Sequence, residues 1–302
     1  MEKRAARGRR GGLAVAALLL ASAAASVLAG CGSSSDATPG ASDGGQDAGA
    51  PDATAAGDGG RAGDADNQGK DAGIDARPPD FGDGGTSFCA TLATKPAFCE
   101  DFDHANALAD WDAVVAVAPG TASLSAAEFT SGPASALIAT STAAAGAYSS
   151  VLLRKTVTLA AKVTRARLSF SYFPTNDVEE AGSFGIATLD IGTAHLFTLY
   201  LRDPSATPGP ALVESVSTDT RFALTGATLT KNKWTRIVVD VDVANGKANV
   251  TFGAVKVLTD AVISTGTSTE PTIRVGSLAE GPVMGTLPAT NAYIDDVTLE
   301  TE

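Results

Sequence analysis

Four aspartates, two histidines, three cysteines and a few aromatic residues are the side chains through which this sequence could do chemistry. Asp101 and Asp103 sit in Phe98-Cys99-Glu100-Asp101-Phe102-Asp103, and Asp295 and Asp296 in Ala292–Leu299, both extended in pattern. If the two runs are neighbours, several carboxylates meet at one sheet edge. Calcium, which takes about six to eight oxygen ligands, suits such a group. Strand alternation would let only one of Asp295 and Asp296 face it. The alternative is that these acids are solvated edge charges that discourage strand-to-strand association. Structural calcium is the one cofactor the residues suggest, and none is required.

Signatures of catalysis are absent. There is no Gly-x-Ser-x-Gly elbow, phosphate-cradling loop or dinucleotide fingerprint. Glu179 and Glu180 are adjacent in a loop-like stretch, so they point different ways. His104 lies in a polar loop and His195 at the start of a strand, each alone in the sequence. The expectation is a non-catalytic module. For sugar stacking the candidates are Trp234 and Arg236, which share a strand face with Asp240 and would line a groove. The alternative for Trp234 is that it covers the edge of the core. Tyr172 and Tyr200 lie in central-looking strands and read as core residues with bonded hydroxyls.

The N-terminus sets the compartment. Lys3, Arg4, Arg7, Arg9 and Arg10 precede an apolar run, Leu13–Leu28, which ends in small residues. This is the pattern of a secretory signal. Leu28-Ala29-Gly30-Cys31 resembles the lipobox of bacterial lipoproteins. That resemblance implies a signal peptide over 1–30 and a lipid on Cys31, and two or three acyl chains anchor stably. An uncleaved anchor or an ordinary secretory signal is the alternative. Gly32 is not the Asp that retains some lipoproteins at the inner membrane, so the expectation is the cell envelope at the outer membrane.

Residues 31–86 read as a disordered tether of Asp, Gly, Ala, Ser and Pro. Gly32–Thr86 holds eleven Asp against Arg61, Lys70 and Arg77, and Ile74 and Phe81 are its only large apolar residues. Such a chain buries too little to offset its ordering entropy and spans roughly 40 Å end to end. The net charge of −12 excludes nucleic acid as a partner. Partners are then the membrane, through the lipid, and a glycan or an envelope protein. In an exported chain Cys89 and Cys99 suit a disulfide, with free thiols or a metal pair as alternatives.

Residues 87–302 are strand after strand. Val, Ile, Thr, Phe and Tyr are concentrated in runs such as Ser149–Val157, Arg165–Phe173 and Trp234–Val243, with Gly, Pro, Asn and Asp between them. In Trp234–Val243 one face is Thr235, Ile237, Val239, Val241 and Val243, the mark of a half-buried antiparallel strand. Asn245-Gly246 is a hairpin signal, and Lys247–Leu258 is the expected return. This hairpin resembles the central one of laminin-G-like and concanavalin-A-like lectin/glucanase domains. Ala292–Leu299 is similar to their last strand, and Phe98–Asp103 with Trp111 to their first. The whole chain resembles predicted lipoproteins of myxobacterial type. The resemblance implies an all-β, two-sheet antiparallel jelly-roll sandwich over 87–302 with first and last strands side by side. It does not name an activity. The Glu-x-Asp-x-x-Glu hexapeptide of the retaining glucanases and the strand motifs of the lyases are absent. The reading is therefore a surface-anchored, non-enzymatic glycan-binding module. A structural or adhesion module, or a diverged polysaccharide hydrolase or lyase, is the alternative.

Overall fold

The computed structural model describes Asp80 and residues 87–302, apart from 118, 143, 178–181, 193–194, 204–208 and 282–285. The signal, Cys31 and all of the tether but Asp80 lie outside the described residues. The chain divides into Met1–Asn67 and Gln68–Glu302, and the described strands all belong to the second unit.

A helical turn (Phe88–Thr91) and a 3-10 turn (Ala107–Asp110) are the helical elements among the described residues. The strands are β1 (Phe98–Glu100), β2 (Ala113–Val117), β3 (Thr121–Ser125), β4 (Ser135–Ala139) and β5 (Tyr148–Thr156). They continue with β6 (Arg165–Pro174), β7 (Ser183–Asp190), β8 (Leu196–Arg202), β9 (Ala211–Ser215) and β10 (Asp219–Ala223). The last are β11 (Thr235–Asp242), β12 (Lys247–Phe252), β13 (Val255–Val262), β14 (Thr272–Glu280) and β15 (Asn291–Thr301). The first sheet runs β13-β12-β11-β6-β15-β4-β3, with β1 also on β15. The second runs β10-β9-β8-β7-β14-β5-β2. Every pairing is antiparallel. The first and last strands pair, with Phe98 opposite Leu299.

Alternation builds the core. Ile237, Val239 and Val241 of β11 and Ala248, Val250 and Phe252 of β12 point inward. They meet Phe170, Leu168, Phe184, Phe197 and Leu153 from the strands beside and across from them. Each such side chain contributes about 1.5–3 kcal/mol by leaving water. The Lys247–Leu258 expectation fails in one respect. The chain turns at Gly253, at φ +57°, and makes two strands, β12 and β13, instead of one. The strands without a clear sequence signal are β2, β3 and β10, all at sheet edges. An edge strand is half solvated, so its apolar alternation is weak.

Gly276 holds a close approach between β14 and β5. Its φ is +152°, and a Cβ there would lie 2.1 Å from the Val151 carbonyl oxygen. Gly276→Ala is expected to cost about 2–4 kcal/mol, strain and overpacking together. The urea unfolding midpoint reads this directly, and a midpoint equal to wild type would show that the strands part without cost.

Candidate functional site

The structure brings the four aspartates to the junction of β1, β15 and the 126–134 loop, but in unequal roles. Asp295 is fully buried. It accepts hydrogen bonds from the backbone N–H groups of Thr130 (2.8 Å) and Ser131 (3.1 Å), and from Asp296 N–H (2.8 Å). Asp296 accepts from the Ser131 hydroxyl at 2.6 Å. The Thr130 hydroxyl lies 3.0 Å from Asp295 Oδ2 and 2.8 Å from Asp296 Oδ2. Both acids therefore face one hydroxyl, which corrects the expectation from alternation. The register slips after Asp295, and Asp296 has φ +52°, so the period of two breaks there. Burial first, then Asp296, pushes the Asp295 carboxyl to about 7. Asp103 is raised to about 6 by burial and then Asp101, with Asp296 adding to the rise and the Ala134 N–H and His104 opposing it. Asp101 accepts from the Ser87 hydroxyl and from Cys89 N–H at 2.9 Å. Cys89 and Cys99 form a disulfide, which ties the first helical turn to β1 beside these acids.

Trp234 and Arg236 lie on the outer face of the first sheet. Trp234 packs 5.3 Å from Phe173, beside Leu137 and Tyr293, in a small apolar cluster of its own. Arg236 donates to the Asp296 carbonyl (2.6 Å) and the Ser169 hydroxyl (2.7 Å), under the Phe88 ring at 5.3 Å. The N-terminal turn thus covers this part of the first sheet and commits Arg236 to structure.

The outer face of the second sheet has no described helix or strand across it. Its side chains follow from register. Arg154 of β5 stands directly opposite Arg274 of β14, and Arg274 opposite Thr188 of β7. Thr198 of β8, Val213 of β9 and Arg221 of β10 continue the row. Like charges placed opposite one another destabilise a sheet. Yet neither Arg154 nor Arg274 makes an ion pair among the described residues. Arg154 Nε is buried without a hydrogen-bond partner, and Arg274 donates one long bond, 3.3 Å, to the Thr188 hydroxyl. Burial first, with Arg154 adding to it, lowers the Arg274 guanidinium below its ordinary value against the pull of Asp190. Arg221 differs, being paired with Asp203.

Two residues further along the strands, roughly 7 Å, is Tyr200. It stands opposite Gly185, whose missing Cβ would lie 3.5 Å from the tyrosine ring and 3.6 Å from Leu278 of β14. The ring therefore covers β7 on the side of β14. Burial first, then Asp219, Tyr148 and Glu280, raises the Tyr200 hydroxyl. Burial and then Glu280 raise Tyr148. Glu280 stands opposite Tyr148 and accepts from the Ser183 hydroxyl at 3.3 Å. Two phenols and a carboxylate thus share one face with the arginine pair, Tyr200 one row from it and Tyr148 and Glu280 three rows from it. The expectation that Tyr200 is a core residue does not hold. Only register reveals the group, because its members come from four strands distant in sequence.

His195 is not alone either. Its Nε2 lies 2.6 Å from Glu214 Oε1, which also accepts from Ser264 N–H at 2.7 Å, and both side chains are buried. His104 stands beside Asp110 and Glu100. Glu100 is raised to about 8, by burial first, with the Phe102 N–H opposing and Asp110 and Asp101 adding to the rise.

No protein-family model and no curated protein matches this chain. Solved structures do resemble it. The endo-β-1,4-glucuronan lyase of the fungus Trichoderma reesei is 17% identical with a TM-score of 0.48, over 68% of this chain and 96% of that one. The cellulose-induced protein Cip1 is 11% identical with a TM-score of 0.45, over 67% and 96%. An alginate lyase from Corynebacterium sp. is 15% identical with a TM-score of 0.40, over 62% and 83%. At such identities the likeness is one of fold. The expectation of a non-catalytic module is corrected here, since it rested on missing motifs while lyases stand among the structures of similar fold. Two antiparallel sheets, with first and last strands paired, make this domain a two-sheet jelly-roll sandwich.

Proposed function

We propose that the domain is a carbohydrate-active enzyme that takes an acidic polysaccharide across the outer face of its second sheet and cleaves it by elimination. The observation that carries this is the Arg154–Arg274 pair, two cations facing each other on an open face with no carboxylate bound to either among the described residues. A uronate carboxylate supplies the missing anion, and guanidinium groups bind carboxylates in a planar, bidentate fashion. Elimination suits the rest of the face. Hydrolysis by a carboxylate pair needs the two groups within about 5–9.5 Å, whereas Asp190 and Glu280 stand at opposite ends of the strands, eight pairing positions apart on β14. In elimination the arginines hold the sugar carboxylate and a water molecule takes the proton beside it, since Glu280, six residues from Arg274 along β14, stands roughly 20 Å away. The Tyr200 hydroxyl, kept protonated, donates to the leaving glycosidic oxygen as the carbon–oxygen bond breaks. The test is incubation of the protein with polyglucuronate and with alginate, followed by ultraviolet absorbance of unsaturated sugar ends. Absorbance that grows with wild type and fails with Arg274→Ala supports the reading. Intact polymer throughout, or reducing ends without unsaturation, overturns it.

Calcium at Asp101, Asp103 and Asp296 belongs to the same proposal. Their carboxylates repel one another at short range and offer hard oxygen donors, while Asp295 is occupied by backbone N–H groups. At a hundred times its dissociation constant the ion would add about 2.7 kcal/mol. Melting temperature is expected to rise with calcium and fall with chelator, and Asp103→Asn to remove the shift. A melting temperature indifferent to both leaves these acids as charges at a sheet junction.

Lipid on Cys31 would hold the domain at the outer membrane. Cys31→Ser is expected to block processing of the precursor and its labelling by an alkyne fatty acid. Undiminished labelling of that variant would place the lipid elsewhere or nowhere.

A further inference from the structure

We propose that Glu100, His104 and Asp110 form a binding site for a divalent transition-metal cation of the zinc class. One atom from each, an imidazole nitrogen and two carboxylate oxygens, lie within 4.8 Å of one another. His104 Nε2 is 3.1 Å from Asp110 Oδ2 and 3.9 Å from Glu100 Oε1. Tetrahedral zinc with bonds of about 2.0–2.1 Å sets its ligands ~3.4 Å apart, so the two observed separations bracket the requirement.

The backbone holds the three in place. Glu100 ends β1, and its Oε1 accepts the Phe102 N–H at 2.9 Å. Phe102 has φ +57°, which reverses the chain and returns His104 towards Glu100. The His104 carbonyl accepts Ala107 N–H at 3.0 Å, opening the 3-10 turn that ends at Asp110. The Asp110 carbonyl in turn accepts Lys155 Nζ at 2.6 Å.

Charge and access agree with this assignment. The Glu100 side chain is 2% exposed, and His104 is its one ion-pair partner among the described residues. A carboxylate so buried is costly to charge without a cation beside it. His104 and Asp110 are half exposed, so an ion can enter and a water can fill the fourth position. The imidazole decides the class of metal. Calcium and magnesium take oxygen ligands, whereas imidazole suits zinc, nickel and copper. The ligand atoms differ from those of the neighbouring acids: Asp101 accepts from Ser87 and Cys89, and neither contact involves Glu100, His104 or Asp110.

The experiment is calorimetric titration of zinc chloride, and separately calcium chloride, into the metal-stripped full chain. Wild type is expected to bind one equivalent of zinc, with a tetrahedral visible spectrum when cobalt replaces it. His104→Ala and Asp110→Asn alter half-exposed side chains and keep the fold. Each is expected to weaken zinc binding at least tenfold and lose the cobalt spectrum, while Glu270→Gln, an exposed carboxylate outside the cluster, binds zinc as wild type does. No zinc binding by wild type, or equal binding by wild type and His104→Ala, overturns the proposal and leaves the cluster as a hydrogen-bonded ion pair.

Discussion

Replacing Tyr200 by phenylalanine is expected to slow cleavage of an acidic polysaccharide by about 10²–10⁴-fold, the usual contribution of a positioned general acid. The substitution removes one oxygen and keeps the ring over Gly185, so melting should be unchanged. It should leave KM nearly as in wild type, because the hydroxyl acts on the leaving oxygen and not on the sugar carboxylate. Arg274→Ala is the complement and should raise KM, since it removes half of the carboxylate clamp. The initial rate of formation of unsaturated ends, measured over a range of polymer concentrations, separates the two. A Tyr200→Phe enzyme with wild-type kcat would rule Tyr200 out as the proton donor.

Glu214→Ala is expected to be the most damaging of the single changes for stability, at about 3–5 kcal/mol. Glu214 lies in β9 and is buried at the end of the sandwich, where it accepts from both the His195 ring and Ser264 N–H. Alanine leaves the imidazole and an amide buried without their acceptor, and each loss carries a desolvation penalty. The bond to Ser264 also joins β9 to the segment just after β13, so both sheets loosen at that end. A fall in the urea midpoint with an unchanged slope would show this. A midpoint within error of wild type would mean that water replaces the carboxylate.

The alternation of Ile237, Val239 and Val241 and the Asn245-Gly246 turn placed a hairpin in the sequence, and the structure has it at β11 and β12. The resemblance of Phe98–Asp103 and Ala292–Leu299 to first and last strands predicted their pairing, and β1 lies on β15. These features are local: a period of two and a turn residue act within a few positions. Where locality failed, the sequence misled. Asp295 and Asp296 read as opposite faces until a bulge turned both towards Thr130.

The candidate site was illegible for the same reason. Arg154 and Arg274 are 120 residues apart, and nothing near either one marks it. Tyr200 looked like a core residue because its strand is rich in large apolar residues, and the second sheet's open side is defined only by what does not pack on it. The sequence by itself determined an all-β chain of alternating strands and the neighbourhood of its two ends. Tertiary structure decided which face stays open, which arginines stand opposite each other, and which histidine meets which acid. The physical reason is that propensity and periodicity act along the chain, whereas a site is assembled across strands by register, and register is set by the packing of the whole core.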